Sequence, residues 1–308
     1  MLRFILHRLG LAVLSVWAVC TITFLIAAFA PGDPAEIAAG QHSDKAALAR
    51  IRHEFGLDRP LLVRYGAYLW DGLHGDLGKS FYTREPVTAF LQRGLPNTAL
   101  LATAAIIIAL LVGVLVGLAA ALRPNTFLDR LLMTSVLVGV TLPNFVLAPI
   151  LILLIALKLG WLPVAGWGDP SFVVLPAIVL AARPAALIAR MTRSSLLETL
   201  KQDYIRTARA KGLSPGTVLF KHALKNAFLP VLTTAGISFG YLLSGSFVVE
   251  TVFAIPGVGK ASIDSISQRD YSVIQGTTLL LAVIFVGMNL LVDLAYALLD
   301  PRLKVAEG

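Results

Sequence analysis

The stretch YIRTARAKGLSPGTVLFKHALKNAFLP, residues 204–230, holds Arg206, Arg209, Lys211, Lys221 and Lys225 and no acidic side chain. Its punctuation says more than its charge. A helical pattern beginning in SSLLETLKQDY runs up to Gly212, which tolerates the left-handed conformation that closes a helix. Ser214 then offers a side-chain cap, and Pro215 suits the first position of a new helix. Beyond it Val218, Leu219, Ala223 and Ala227 share one side, while Lys221 and Lys225 share another. The expectation is a helix, a sharp glycine turn and an amphipathic helix held against a membrane face.

The apolar sequence on either side supplies the membrane. Of 308 residues 57% are hydrophobic and 14% charged, with one cysteine, Cys20. Soluble domains average about 45–50% apolar and about 25% charged. A single cysteine excludes an intrachain disulfide. Six apolar runs, 9–30, 97–122, 131–157, 172–189, 229–249 and 276–299, reach the ~17–25 residues a spanning helix needs. The fold class is all-α, a polytopic protein of six transmembrane helices. The first run follows a basic start and ends near Ala28-Phe29-Ala30, like a signal peptide, but it is far longer than an h-region of about 7–15 residues.

Lys and Arg set the orientation. With the N-terminus inside, the inner segments carry fourteen of them, eight within 190–228, against three in the two shorter outer loops. Eight more lie in 31–96, a segment long enough to translocate regardless of charge. Both termini, the loop 190–228 and the tail 300–308 are expected in the cytoplasm. Residues 31–96 are expected to form a small extracytoplasmic subdomain of two helices, each closing on a glycine, with Tyr65, Tyr68, Trp70, Phe81 and Tyr82 at the membrane interface. The net charge of +8 then reflects inner loops, and no nucleic-acid partner is implied.

Two motifs mislead. AIPGVGKAS, residues 254–262, resembles a phosphate loop but has Ala254 where that pattern needs Gly and Ala261 where it needs Ser or Thr. A turn on Pro256-Gly257 is the expected structure. GISFG, residues 236–240, matches a serine-hydrolase elbow. It lies inside a span, however, and His7, His42, His53, His74 and His222 all fall outside the spans. Gly236, Gly240 and Ser244 read better as a packing stripe, as do Gly113 and Gly117. The histidines show no ligand spacing, so no metal is expected. Two charges fall within spans: Asp293, expected to make a structural contact, and Arg183, for which no role is read.

The basic stretch itself leaves three readings open: plain inner-loop charge, contact with anionic membrane lipid, or docking of a cytosolic protein. A turned helix pair exposing Thr207, Ala208 and Ala210 favours docking.

At this point the residues resemble a family, the membrane-spanning permeases of ABC importers. Aligned on Gly212, Arg206, Thr207 and Ala208 fall on the Glu-Ala-Ala of the family's cytoplasmic signature loop. Arg206 replaces its Glu, and Leu224-Lys225 replaces its final Leu-Pro. YIRTARAKGLS, HALKNAFLPV, HGDLGKSF, LPNTALLA, VVETVFAIPGVGKASIDSISQRDYSVIQG and the terminal DPRL resemble the subfamily serving dipeptides, oligopeptides and nickel. LRFILHRLG and the segment after the first span resemble the first of its two permease chains. The resemblance implies a type I importer permease fold and a path shared with a second homologous permease. It also implies one or two cytosolic ATP-binding subunits and an extracytoplasmic solute-binding protein. ATP and Mg would sit on the partners, with no cofactor and no catalysis on this chain. It places Arg206, Thr207, Ala208, Arg209, Ala210, Lys211 and Gly212 in the loop that couples to the ATPase. Pro256, Gly257, Val258 and Gly259 become a candidate outer loop near the substrate or the binding protein. A self-sufficient secondary carrier and, less favoured, an intramembrane hydrolase are the rival readings.

Overall fold

The computed structural model describes residues 2–30, 34–39 and 44–299. His42 and the tail 300–308 lie outside the described residues. Among the described residues the regular structure is helical, with one isolated bridge between Lys79 and Pro86. In order come α1 (Leu2–Phe29), α2 (Pro34–Ala39), α3 (Lys45–Glu54), α4 (Leu61–Leu73), α5 (Val87–Leu122) and α6 (Phe127–Thr141). Then α7 (Asn144–Leu151) continues into a π-helical stretch, Ile152–Lys158, followed by α8 (Ser171–Thr199) and α9 (Asp203–Ala210). A single turn, α10 (Pro215–Thr217), passes through π-helical Val218–Ala223 into α11 (Leu224–Gly245). The last described elements are α12 (Phe247–Val252), α13 (Val258–Gln268) and α14 (Tyr271–Leu299).

Among the described residues five stretches are long and apolar enough to cross a membrane: Ile5–Phe29, Val87–Leu122, Ser171–Thr199, Pro215–Ser244 and Tyr271–Ala295. The sixth expected run, 131–157, is not one straight helix. It bends by 107° between Thr141 and Asn144. Pro143 removes a donor and forces Leu142 out of the helical region (φ −83°, ψ 118°), so the chain restarts at Asn144 in a new direction. The second run also starts earlier than expected. Its 36-residue helix is ~54 Å long, which exceeds a ~30 Å hydrocarbon core by several turns. Residues 87–96 therefore belong to α5 and not to the segment before it.

The centre of the bundle is the α5–α8 pair. Small residues bring the two backbones together: a methyl added at Gly113 would lie 2.7 Å from the Ala185 carbonyl oxygen, and one at Gly117 would lie 2.5 Å from that of Ala189. Gly236 and Gly240 do the same for α11 against Val292 and Met288 of α14. GISFG is thus a packing stripe. Around the α5–α8 seam Leu101, Ala105, Ala109, Leu175, Ala181 and Ile188 are buried in one apolar core with Val231 and Ala235 of α11.

The segment before α5 holds the two expected helices. Asp44 caps α3 by accepting from the Ala47 N–H at 2.7 Å, and Gly56 and Gly75 follow the helix ends at φ +62° and +79°. The aromatic side chains divide between packed and exposed positions. Tyr65 shares a 2.6 Å hydrogen bond with Thr21, and the rings of Tyr65 and Tyr68 pack on Phe24 of α1. Phe81 is buried against Phe55, while Trp70 and Tyr82 remain exposed. Asp270 fixes this segment to α14: its buried carboxylate accepts from the Ser80 hydroxyl and, at 3.1 Å, from the Phe81 N–H.

Candidate functional site

The stretch 204–230 folds as a compact elbow. At the end of α9 the Gly212 N–H bonds the Arg209 carbonyl at 2.9 Å and the Leu213 N–H bonds the Ala208 carbonyl at 3.3 Å. Gly212 makes this closure at φ +77°, a region that penalises any side chain. Ser214 Oγ then accepts from the Thr217 N–H at 3.3 Å, with Pro215 opening the next helix. Gly212, Ser214 and Pro215 take the places read from the sequence, but the single helix expected from the fourth span to Gly212 is broken at 200–202, between α8 and α9. The second arm does not lie apart from the bundle, however. It runs through Val218–Ala223 straight into α11, so the elbow and that spanning helix are one continuous helical stretch, Pro215–Ser244.

Burial divides α9 into two faces. Ile205 and Ala208 point inward, into a cluster with Ala121 of α5, Leu196 of α8, Val218, Ala223 and Ala227. Arg206, Thr207, Arg209, Ala210, Lys211 and Gly212 are exposed. Ala208, expected among the exposed small residues, is instead 7% exposed, because it sits one turn from Ile205 on the inward face. The cluster ties the exposed basic face to three spanning helices. The Tyr204 hydroxyl adds a bond, accepting from the Asn226 side chain at 2.8 Å.

An ion pair unmarked in the sequence braces the same end. Asp129, in the first turn of α6, is 3% exposed. It accepts a bidentate fork from Arg193 of α8 (Nε to Oδ1 2.7 Å, Nη2 to Oδ2 2.6 Å) and the Asn125 N–H at 2.8 Å. Such forks are the stronger form of charge-assisted hydrogen bond. On α1 and α14, Arg8 pairs with Asp293 at 2.8 Å, so Asp293 does make the expected structural contact.

The opposite end is organised by Glu250, fully buried in α12. Its carboxylate accepts from the Thr98 hydroxyl at 2.8 Å, the Ser246 hydroxyl and the Lys260 N–H at 2.9 Å. The N-terminus of α13, which otherwise favours an anion, is thus occupied by the chain's own carboxylate. This is the physical reason that AIPGVGKAS is no phosphate loop, and Lys260 Nζ is engaged by Asp264 at 2.6 Å. Gly257 and Gly259 are required by the close approach, since a methyl on either would meet Glu250 Oε2 at 2.3 or 2.8 Å. Of the four candidate outer-loop residues, Gly257, Val258 and Gly259 are buried and only Pro256 is exposed. The Pro256 carbonyl accepts from Asn97, whose own oxygen accepts from Trp167 at 3.0 Å.

Residues 113–305 match the family described as binding-protein-dependent transport system inner membrane component, and residues 1–102 match its N-terminal region. The chain belongs to this family. It is similar to the dipeptide transport system permease protein DppB of Bacillus subtilis (strain 168), 44% identical over 99% of both chains. It is also similar to the glutathione transport system permease protein GsiC of Salmonella paratyphi A, 41% identical over 99% of both. Among solved structures, a chain of the MetNI methionine ABC transporter superposes with TM-score 0.58 at 21% identity, covering 68% of this chain and 96% of that one. An amino acid ABC transporter gives 0.52 at 19%, covering 70% and 94%. The chain is therefore a multi-pass inner-membrane permease subunit of an ABC importer, a non-catalytic component with the type I importer fold.

Proposed function

We propose that this permease pairs with a second, homologous permease to form the path by which short peptides enter the cell. The elbow 204–230 takes up the motion of cytosolic ATP-binding subunits, which carry the ATP and Mg. The observation behind this reading is the two-faced α9. Its outer face, Arg206, Thr207, Arg209, Ala210 and Lys211, is exposed, and its inner face is locked to α5, α8 and α11. The non-helical turn 200–202 and Gly212 flank α9, and its packed inner face carries a push on that surface to the spanning helices, which move as bodies so that the path alternates its opening. The basic side chains suit an acidic rim on the ATPase and act on encounter rate more than on affinity.

Peptide is the proposed cargo class because the relatives named above are a dipeptide and a glutathione permease. In this reading both termini and the elbow are cytoplasmic, which the Lys and Arg distribution favours, all six runs cross the membrane, and the segment 31–96 with the Glu250 end faces the solute-binding protein. The structural demands on Gly257, Val258 and Gly259 account for those residues without a substrate role, so only Pro256 remains available to a binding protein.

Expression with the second permease, the ATP-binding subunits and the binding protein tests the proposal. The subunits co-purify, and proteoliposomes take up a labelled dipeptide only with ATP and binding protein present. Uptake by this chain alone, driven by a proton or sodium gradient, would establish a secondary carrier. Orientation is read in a Cys20→Ser background with single cysteines at Ser214 and at the exposed Ser267. An impermeant thiol reagent applied to intact spheroplasts labels the second and spares the first.

A further inference from the structure

Arg183 lies near the middle of α8 and is exposed. A cation at that depth costs about 2.5–3.5 kcal/mol on insertion scales unless something answers it. Among the described residues no carboxylate stands within ion-pair distance of its guanidinium. Its contact is the ring of Tyr241 on α11, 5.6 Å from Arg183 Cζ. Both residues open on a cavity of about 250 Å³, which Asn144, Ile237 and Ser238 also line.

The polar lining of this cavity is rich in donors. The Ser238 hydroxyl is already committed to the Thr234 carbonyl at 2.7 Å. The guanidinium, the Asn144 amide and the Tyr241 hydroxyl remain, with no acidic side chain beside them. Asn144 reaches this place because Pro143 breaks the third span there, so the bend between α6 and α7 helps build the cavity. An arginine answering to lipid would extend along its helix toward the headgroups. Here it folds over an aromatic face instead, in a space large enough for a carboxylate and several waters, each needing about 30 Å³.

We propose that Arg183 binds the carboxylate of the transported solute partway along the path, with Tyr241 orienting the guanidinium and Asn144 supplying a further donor. The planar fork of arginine matches a carboxylate in two parallel hydrogen bonds. The proposal rests on the importer reading, since only a path brings solute to that depth.

The test uses the complete complex in nanodiscs, in a Cys20→Ser, Ile237→Cys background, with Leu187→Cys as a second reporter on the same cavity. Each cysteine is treated with an anionic sulfonatoethyl and a cationic trimethylammonioethyl thiosulfonate. A nearby uncompensated cation raises the anionic-to-cationic rate ratio about tenfold over that in Arg183→Gln, and Arg183→Lys keeps most of the gain. A dipeptide with a free carboxylate, delivered by the binding protein, shields the cysteine from the anionic reagent when Arg183 is present and not in Arg183→Gln. No reaction with either reagent would place Arg183 against lipid and overturn the proposal. A ratio indifferent to Arg183→Gln would mean a neutralising partner on the second permease and would overturn it as well. Stimulation of ATP hydrolysis by loaded binding protein is read on the same samples. Its absence from every Arg183-containing sample counts against the importer reading itself, whereas stimulation with an indifferent ratio overturns the Arg183 proposal alone.

Discussion

Replacing Asp129 by Asn removes the anion from the brace between α6 and α8 while keeping its size. The carboxylate is nearly inaccessible and answers three N–H donors, two of them on Arg193 at 2.6–2.7 Å. Breaking a buried pair by deleting one partner costs about 3–5 kcal/mol. Two features lower that figure here. The Arg193 side chain is 27% exposed and recovers some hydration, and the amide oxygen of Asn still accepts one bond. The expected loss is about 2–3 kcal/mol. Arg193→Gln alone leaves a carboxylate at 4% side-chain exposure without its cation and with the Asn125 N–H as its remaining donor from the original three, so it loses at least as much. The double variant removes both charges and loses less than the two singles summed, with a coupling of about 1–2 kcal/mol. Half-lives of the purified complex at a fixed elevated temperature measure this, since membrane complexes inactivate irreversibly. Each single variant shortens the half-life by roughly tenfold or more, where tenfold corresponds to about 1.4 kcal/mol. Single variants indistinguishable from the parent, or losses that simply add, would show that the fork does not brace the bundle.

Other outcomes follow from close approach and burial. Gly117→Ala puts a methyl 2.5 Å from the Ala189 carbonyl oxygen, so the α5–α8 pair must part and stability falls by about 1–3 kcal/mol. Gly216→Ala, with open space around it, changes thermal stability by less than about 0.5 kcal/mol. Glu250→Ala strands the Thr98 and Ser246 hydroxyls and the Lys260 N–H, at about 1–3 kcal/mol for each unsatisfied group, and size-exclusion profiles show a reduced yield of folded protein. Glu250→Gln retains an acceptor and falls between Ala and the parent.

How far the sequence discloses this architecture depends on the range of each cause. Gly212, Ser214 and Pro215 act on their immediate neighbours, so the elbow can be read from adjacent residues, and glycine spacing likewise reveals the packing stripes. The break at Pro143 is harder, because Pro96, Pro149, Pro176, Pro184 and Pro230 all sit inside helices. Proline alone therefore does not mark which run bends. The braces are hidden for another reason. Asp129 meets Arg193 64 positions away, Thr98 meets Glu250 across 152, and Ser80 meets Asp270 across 190. Each acidic residue looks locally like an ordinary loop or helix-end charge. The inward turn of Ala208 was within reach, since it follows the large apolar Ile205 at helical spacing. Arg183 stood out as a charge within a span, but Asn144 and Tyr241 beside it come from separate helices.

The central claim is that motion enters this chain through α9 and turns at Gly212. Gly212→Pro tests it most directly. Proline holds φ near −65°, cannot adopt the +77° seen here, and lacks the N–H that bonds the Arg209 carbonyl, so it distorts the elbow while replacing no basic side chain. In the reconstituted complex, ATP hydrolysis and dipeptide uptake are measured with and without loaded binding protein, alongside co-purification of the ATP-binding subunits. The expected complex retains its ATPase to a reduced extent, hydrolyses ATP without regard to binding protein, and imports no peptide. Uptake and stimulation equal to the parent would contradict the claim.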